Sequence, residues 1–189
     1  MITLEGRRGQ AADGDAWAAA GLSKSGLTRF LGEAQRLVGL AGAVDVLLAG
    51  DRTLRRLNRD FRGKDKATDV LSFPAAAEFA GEFAGDLAIS LDTAARQARE
   101  HGHSLRDEVR VLLLHGLLHL NGMDHETDRG EMATREAELR AELRLPSGLI
   151  ARVEGKGSNA KVAKERREGR DGGRTSSKEM RGRAKKVAA

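Results

Sequence analysis

Cysteine is absent from the 189-residue chain. Its absence excludes a disulfide scaffold and any thiolate metal site, so a bound metal must take His, Asp or Glu as ligands, and the composition suits a reducing cytosol. Long apolar runs are absent too. No stretch approaches the roughly 20 residues of a membrane-spanning helix, and the first ten residues, MITLEGRRGQ, lack the apolar segment of a secretory signal. The resulting expectation is a soluble, cytoplasmic protein with no membrane partner, of a length that fits one domain with or without a tail.

Charge of one sign is abundant, but it is unevenly placed. The formal net charge is +5, from 33 Lys and Arg against 28 Asp and Glu. Residues 151–189 hold 13 basic against 5 acidic residues, a net +8, which leaves 20 against 23, a net −3, for residues 1–150. The excess therefore belongs to a C-terminal segment without aromatic residues and with scattered Gly, Ser and charge. Such a composition buries too little apolar surface to offset the entropy of folding, and a basic, disordered tail is expected over 151–189 beside one folded domain over 1–150.

Within the body, Ile2 to Glu5 alternates as a short strand, whereas the Ala- and Gly-rich stretch over 9–21 gives no clear pattern. Apolar positions from Ser25 to Val38 form one helical stripe closed by Gly39. Val44 to Ala49 reads as a buried strand, and Asp51 is expected to cap a helix that ends at Gly63. Thr68 to Phe73 and Asp86 to Leu91 are strand-like, and the AAAEFAGEFAG segment joins them as a loop or hairpin. Asp92 is expected to cap a helix through Glu100. Ser104 with Asp107 and Glu108 resembles a capping box that opens an apolar helix ending at Asn121 and Gly122. A last helix spans Glu131 to Leu145. The expected fold class is α+β: a small mixed sheet of three to four strands with about five helices.

The most informative stretch is His115-Gly-Leu-Leu-His119-Leu-Asn-Gly122-Met-Asp-His125. Side chains four apart on a helix share a face, so His115 and His119 can reach one ion. Gly122 allows the positive φ that turns the chain back and brings in His125 as a third nitrogen. Three neutral imidazoles leave a tetrahedral zinc one open position, the arrangement of a catalytic site. Nickel, copper and iron also accept imidazole. The spacing is that of the metzincin peptidases, H-E-x-x-H-x-x-G-x-x-H, except that Gly116 replaces the glutamate that takes a proton from water during peptide hydrolysis. Peptide bonds become a poor first choice of substrate. His101 and His103 read as exposed helix-end residues.

Two stretches together resemble the YbeY endoribonucleases of bacterial ribosome maturation: the histidine motif, and Phe61-Arg-Gly-Lys-Asp-Lys-Ala-Thr-Asp-Val-Leu-Ser-Phe-Pro74. Gly85-Asp86-Leu87 and Met132 extend the likeness, which covers about Val44 to Leu145. The departures are Ala67 in place of a usual proline and Met123 in place of a common aromatic. This resemblance implies a single-strand-specific, zinc-dependent endoribonuclease acting on the 3′ end of 16S ribosomal RNA and in quality control of 70S ribosomes. It implies one Zn²⁺ per chain held by His115, His119 and His125, with His115 and Arg62 as catalytic residues. Its partners would be ribosomal RNA and the ribosome or small subunit. A guanidinium grips phosphate oxygens bidentately and stabilises charge building on phosphorus, which suits Arg62 to that role. Lys64 and Lys66 are candidate phosphate contacts, Asp69 and Ser72 candidate hydrogen-bonding residues around the site, and Asp124 either orients a ligand imidazole or caps its turn. The tail can add non-specific RNA attachment. Two rival readings are a metallopeptidase and a non-catalytic ribosome-binding module with a structural metal.

Overall fold

The computed structural model describes residues 1–5, 17–18, 20–79 and 81–146. Most of the stretch over 9–21 and the whole of the basic tail over 151–189 lie outside the described residues. Four strands, β1 (Ile2–Leu4), β2 (Ala43–Ala49), β3 (Val70–Pro74) and β4 (Phe83–Ser90), form one sheet in the order β1-β2-β4-β3. β1 and β2 run parallel, as do β2 and β4, while β3 returns antiparallel to β4 and leaves the sheet an edge. Five α-helices lie among the described residues: α1 (Lys24–Val38), α2 (Asp51–Arg62), α3 (Leu91–His101), α4 (Leu105–Leu120) and α5 (Glu131–Glu142). The expected α+β architecture is present.

The pleat divides the core. Parallel strands are covered on both faces, which accounts for the nearly continuous apolar runs of β2 and β4. On one face Leu71, Ala88 and Ala49 pack with Leu54 of α2, and Leu57 and Phe73 close the edge of this cluster. On the other face lie Leu87 and Ser72, directly opposite each other in the β3–β4 ladder, and both approach Gly116 of α4. α4 is therefore a central helix, buried nearly all round, with the fully buried Leu112, Leu113, Leu114 and Leu117.

Several boundaries differ from the sequence reading, each for a local reason. Gly50, not Asp51, is the N-cap of α2, and Ser90, not Asp92, is that of α3. The two aspartates instead cross over. The Asp92 carboxylate accepts the Asp51 N–H at 2.9 Å, and the Asp51 carboxylate accepts the hydroxyls of Ser90 and Thr93. Burial works to raise the Asp51 pKa, but those hydrogen bonds and the Arg96 guanidinium outweigh it and hold the carboxyl below its usual 3.8. Leu91 begins α3 rather than ending β4. α5 stops at Glu142, three residues short of the expected Leu145. His103 is largely buried, its ring against the fully buried Glu108, so the reading of it as exposed is corrected; His101 is exposed.

Candidate metal centre

The site grows out of the C-terminal end of α4. Ser104 caps the helix by accepting the Asp107 N–H at 3.1 Å, and the helix then runs through His115 and His119 to Leu120. Gly122 has φ +84°, the left-handed turn that glycine adopts without strain, and it sends the chain back toward the helix. The return segment is fixed by short-range bonds. Asp124 accepts the Glu126 N–H at 3.0 Å and the Thr127 hydroxyl at 3.3 Å, and Asp128 accepts the Gly130 and Met132 N–H groups at 2.8 Å each, anchoring the start of α5. His125 is thereby carried back to the helix.

The three imidazoles meet. Ring centroids are 4.7 Å apart for His115–His119 and 5.2 Å for each pair with His125. One nitrogen from each ring lies within 4.8 Å of the others, a grouping that can hold a metal ion. His115 Nε2 and His119 Nε2 stand 3.1 Å apart. Two nitrogens each about 2.0–2.1 Å from one tetrahedral ion are separated by about 3.3 Å, so the helix already sets this pair near ligand spacing. His125 Nδ1 is buried and has no hydrogen-bond partner. A buried polar atom left unpaired is costly, so His125 Nδ1 needs a partner that the described residues do not supply. Burial first, then the neighbouring His115 and His125, push the His119 pKa below 6.5, which favours the neutral form that ligates metal.

One functional pair escaped the sequence reading. His115 Nδ1 donates to Glu136 Oε2 at 2.8 Å, both side chains being almost fully buried. Arg140 in turn donates from Nε to the other oxygen, Oε1, at 2.7 Å, and from Nη1 to the Pro146 carbonyl at 2.8 Å. Committing the Nδ1 proton to a carboxylate fixes the tautomer, leaves the Nε2 lone pair facing His119, and makes the ring a better donor to metal. A signal for this pair exists in the sequence. Met132, Glu136, Leu139 and Arg140 form the buried stripe of α5, with opposite charges four residues apart at two of its four positions. Asp124, expected either to orient a ligand imidazole or to cap its turn, makes the hydrogen bonds of a turn residue; those bonds, the Glu126 amide foremost, hold its carboxyl below the usual 3.8. Glu136 is the carboxylate behind His115.

Gly116 now has a physical reason. A Cβ there would sit 2.7 Å from Leu87 Cδ2 and 3.4 Å from Ser72 Oγ. The position where peptidases of this spacing carry glutamate is the point at which α4 touches the sheet. Ser72 Oγ lies 3.4 Å from the Gly116 carbonyl, and Asp69 accepts Gln97 Nε2 at 3.0 Å, so both brace the surrounding strand and helices.

The structure places Arg62, Lys64 and Lys66 on a separate element. Arg62 is the last residue of α2, and the two lysines lie in the loop from α2 to β3, all three exposed. That loop is pinned by Arg55, whose guanidinium bonds both Asp65 oxygens at 2.7–2.8 Å, and by Asn58 Nδ2 donating to the Lys66 carbonyl at 2.8 Å. It feeds directly into β3, whose Ser72 abuts the histidine helix.

A family model described as endoribonuclease YbeY matches residues 22–144. The endoribonuclease YbeY of Koribacter versatilis is 56% identical over 134 residues, covering 71% of this chain and 86% of its own. That of Solibacter usitatus is 53% identical over 137 residues, covering 72% and 90%. A solution structure from Thermotoga maritima is 27% identical with a TM-score of 0.46, covering 76% of this chain and 89% of that one. The three histidines, Glu136 and Arg62 all fall inside the span matched by the family model.

Proposed function

The chain belongs to the endoribonuclease YbeY family, and on that premise we propose that it is a zinc-dependent, single-strand-specific endoribonuclease. In this reading it acts in the cytoplasm on the 3′ end of 16S ribosomal RNA and on defective 70S ribosomes. The observation that supports it most is the convergence of three imidazoles around one point, with His125 Nδ1 buried and unpaired and His115 Nδ1 already committed to Glu136. Residues 1–150 constitute the catalytic domain, and residues 151–189 a basic tail that adds non-specific attachment to RNA.

His115, His119 and His125 are the residues that hold the metal. When bound, a divalent ion supplies positive charge to a phosphodiester and lowers the pKa of water. Glu136 keeps His115 in the tautomer that ligates, and Arg140 holds Glu136 in place. Arg62 grips a non-bridging phosphate oxygen and stabilises the negative charge that develops on it, while Lys64 and Lys66 bind neighbouring phosphates. Product ends separate the two routes for the nucleophile: a 2′,3′-cyclic phosphate marks attack by the RNA 2′-hydroxyl. The test is cleavage of a single-stranded RNA by purified protein, alongside elemental analysis. Wild-type protein should carry about one zinc and cut, chelator should stop cutting, and His115→Ala and Arg62→Ala should each abolish it. Undiminished cleavage by both variants overturns the reading.

A further inference from the structure

The acidic character of the body conceals an internal division. Residues 51–66 hold seven Lys and Arg against three Asp, a net +4, so the rest of residues 1–150 carries thirteen basic against twenty acidic residues, a net −7. This local excess lies on one helix and the loop after it. Arg52, Arg55 or Arg56, Arg59 and Arg62 recur every three or four residues, which aligns them along the outer side of α2, opposite the buried Thr53, Leu54 and Asn58. All of these arginines are exposed. The three acids in the segment are already engaged: Asp51 with Arg96, Asp60 with Arg59, and Asp65 with Arg55. Among the described residues, Arg52, Arg56, Arg62, Lys64 and Lys66 have no ion-pair partner.

An aromatic group stands at the end of this cationic row. Phe61 is 68% exposed, although it occupies the apolar stripe of α2, four residues after Leu57. The only ring it meets among the described residues is that of Phe73 on the edge strand β3, at 5.2 Å and 67°. Most of the Phe61 side chain is left open to solvent. Cations that track a backbone, with an aromatic face on which an unpaired base stacks, are the two elements of sequence-tolerant single-strand binding. A duplex has no unpaired face to offer.

We propose that the outer side of α2, ending in the Phe61–Phe73 pair, is the track that holds an unpaired RNA strand before it rounds the β3 edge toward the histidines. This inference rests on the endoribonuclease reading and deepens it by naming where the strand lies and which residue selects unpaired bases. The Arg55–Asp65 and Asn58–Lys66 bonds fix the loop at the turn, and Ser72, next to Phe73 in β3 but on the opposite face, touches the histidine helix. The polyanion thus stays on a segment of net +4 within a body whose remaining residues are net acidic.

The test uses the full chain and a short fluorescent 2′-O-methyl RNA that resists cleavage, single-stranded or annealed to its complement. Phe61→Leu should weaken single-strand binding by about 5- to 150-fold, the range for losing one stacked base, and leave duplex binding unchanged. Arg52→Ala with Arg56→Ala should lower the slope of log affinity against log salt for the single strand by about 1.4, at about 0.7 for each phosphate no longer neutralised. In Phe61→Trp, the new indole should be quenched by single-stranded RNA, against a background from Trp17, which is buried. These positions are exposed, so thermal unfolding should match wild type. If wild type binds and cuts RNA while the variants keep its affinity, slope and fluorescence, the track is wrong and the endoribonuclease reading stands. If wild type neither binds nor cuts RNA, both fall.

Discussion

α4 and α2 pack on opposite faces of one four-stranded sheet, and the histidine cluster of the first and the arginine row of the second are built to different tolerances. At α4 two of the three clustered rings are held by named partners: His115 by Glu136, which Arg140 holds in turn, and His125 by a turn tied to Asp124 and Asp128. At α2 the arginines stand in solvent, and only Arg55 and Arg59 are paired within the segment. Coordination bonds are short and directional, so a misplaced ligand loses most of its bond. Attraction to a polyanion falls off over a Debye length of about 8–10 Å, and mobile side chains deliver it as well as fixed ones. The molecule places its packing constraints where chemistry needs tenths of an ångström and leaves charge loose where position matters less.

That contrast can be broken most directly at the rings. His119→Ala should abolish retention of the proposed metal through dialysis, read by elemental analysis, and no change in salt should restore it. Glu136→Gln removes the constraint and keeps the ligand, and metal affinity by chelator competition should fall about 10- to 100-fold. The same change strips a buried charge from Arg140, so thermal or urea unfolding should show a loss of about 3–5 kcal/mol. Glu136→Leu with Arg140→Met separates the two effects: stability should return while the affinity defect persists. An affinity equal to wild type in the folded double variant would exclude Glu136 as the support of His115.

Smaller effects sharpen the comparison. Gly116→Ala forces a methyl against Leu87, and overpacking of this kind costs about 1–3 kcal/mol, of which better helix propensity returns up to about 1 kcal/mol. A net loss of about 0–3 kcal/mol in urea unfolding is expected, with metal affinity little changed. The smallest effect concerns the crossed aspartates that moor α2 to α3. The folded pKa of Asp51 lies below its unfolded value of about 3.8, so its contribution to stability is complete above that value and is lost as pH falls through the lower, folded pKa. Asp51→Asn should therefore flatten the acid limb of the stability curve, measured by unfolding midpoints across pH 2–6.

Much of this was legible in the sequence because the signals were local. The stops at Gly39, Gly63 and Gly102 fall where the C-caps stand, all with positive φ. The spacing of His115, His119 and His125 depends only on a helix and one glycine turn, which the chain writes into eleven consecutive residues. What stayed hidden depends on contacts between distant segments. Asp51 and Asp92 read as helix caps because each is followed by a helical pattern; that each serves the other's helix follows only from β2 and β4 lying side by side. Glu136 is twenty-one residues from His115, and only the packing of α5 on α4 joins them. The arginines of α2 were averaged into an acidic total, since net charge over a whole domain carries no information about faces.

Gly116 has one more consequence, which concerns mutational paths. Two catalytic plans share a histidine spacing and differ at this residue, and by sequence alone they look one substitution apart. In this fold they are not. A glutamate at 116 needs space that Leu87, itself 1% exposed, now fills, and emptying that space alone would cost about 2–5 kcal/mol. Each single step passes through a protein weaker than its neighbours on the path, so the intermediate is penalised before any new activity exists. The contact between one glycine and one leucine acts as a ratchet, holding the helix that carries His115 and His119 to a sequence without glutamate at 116.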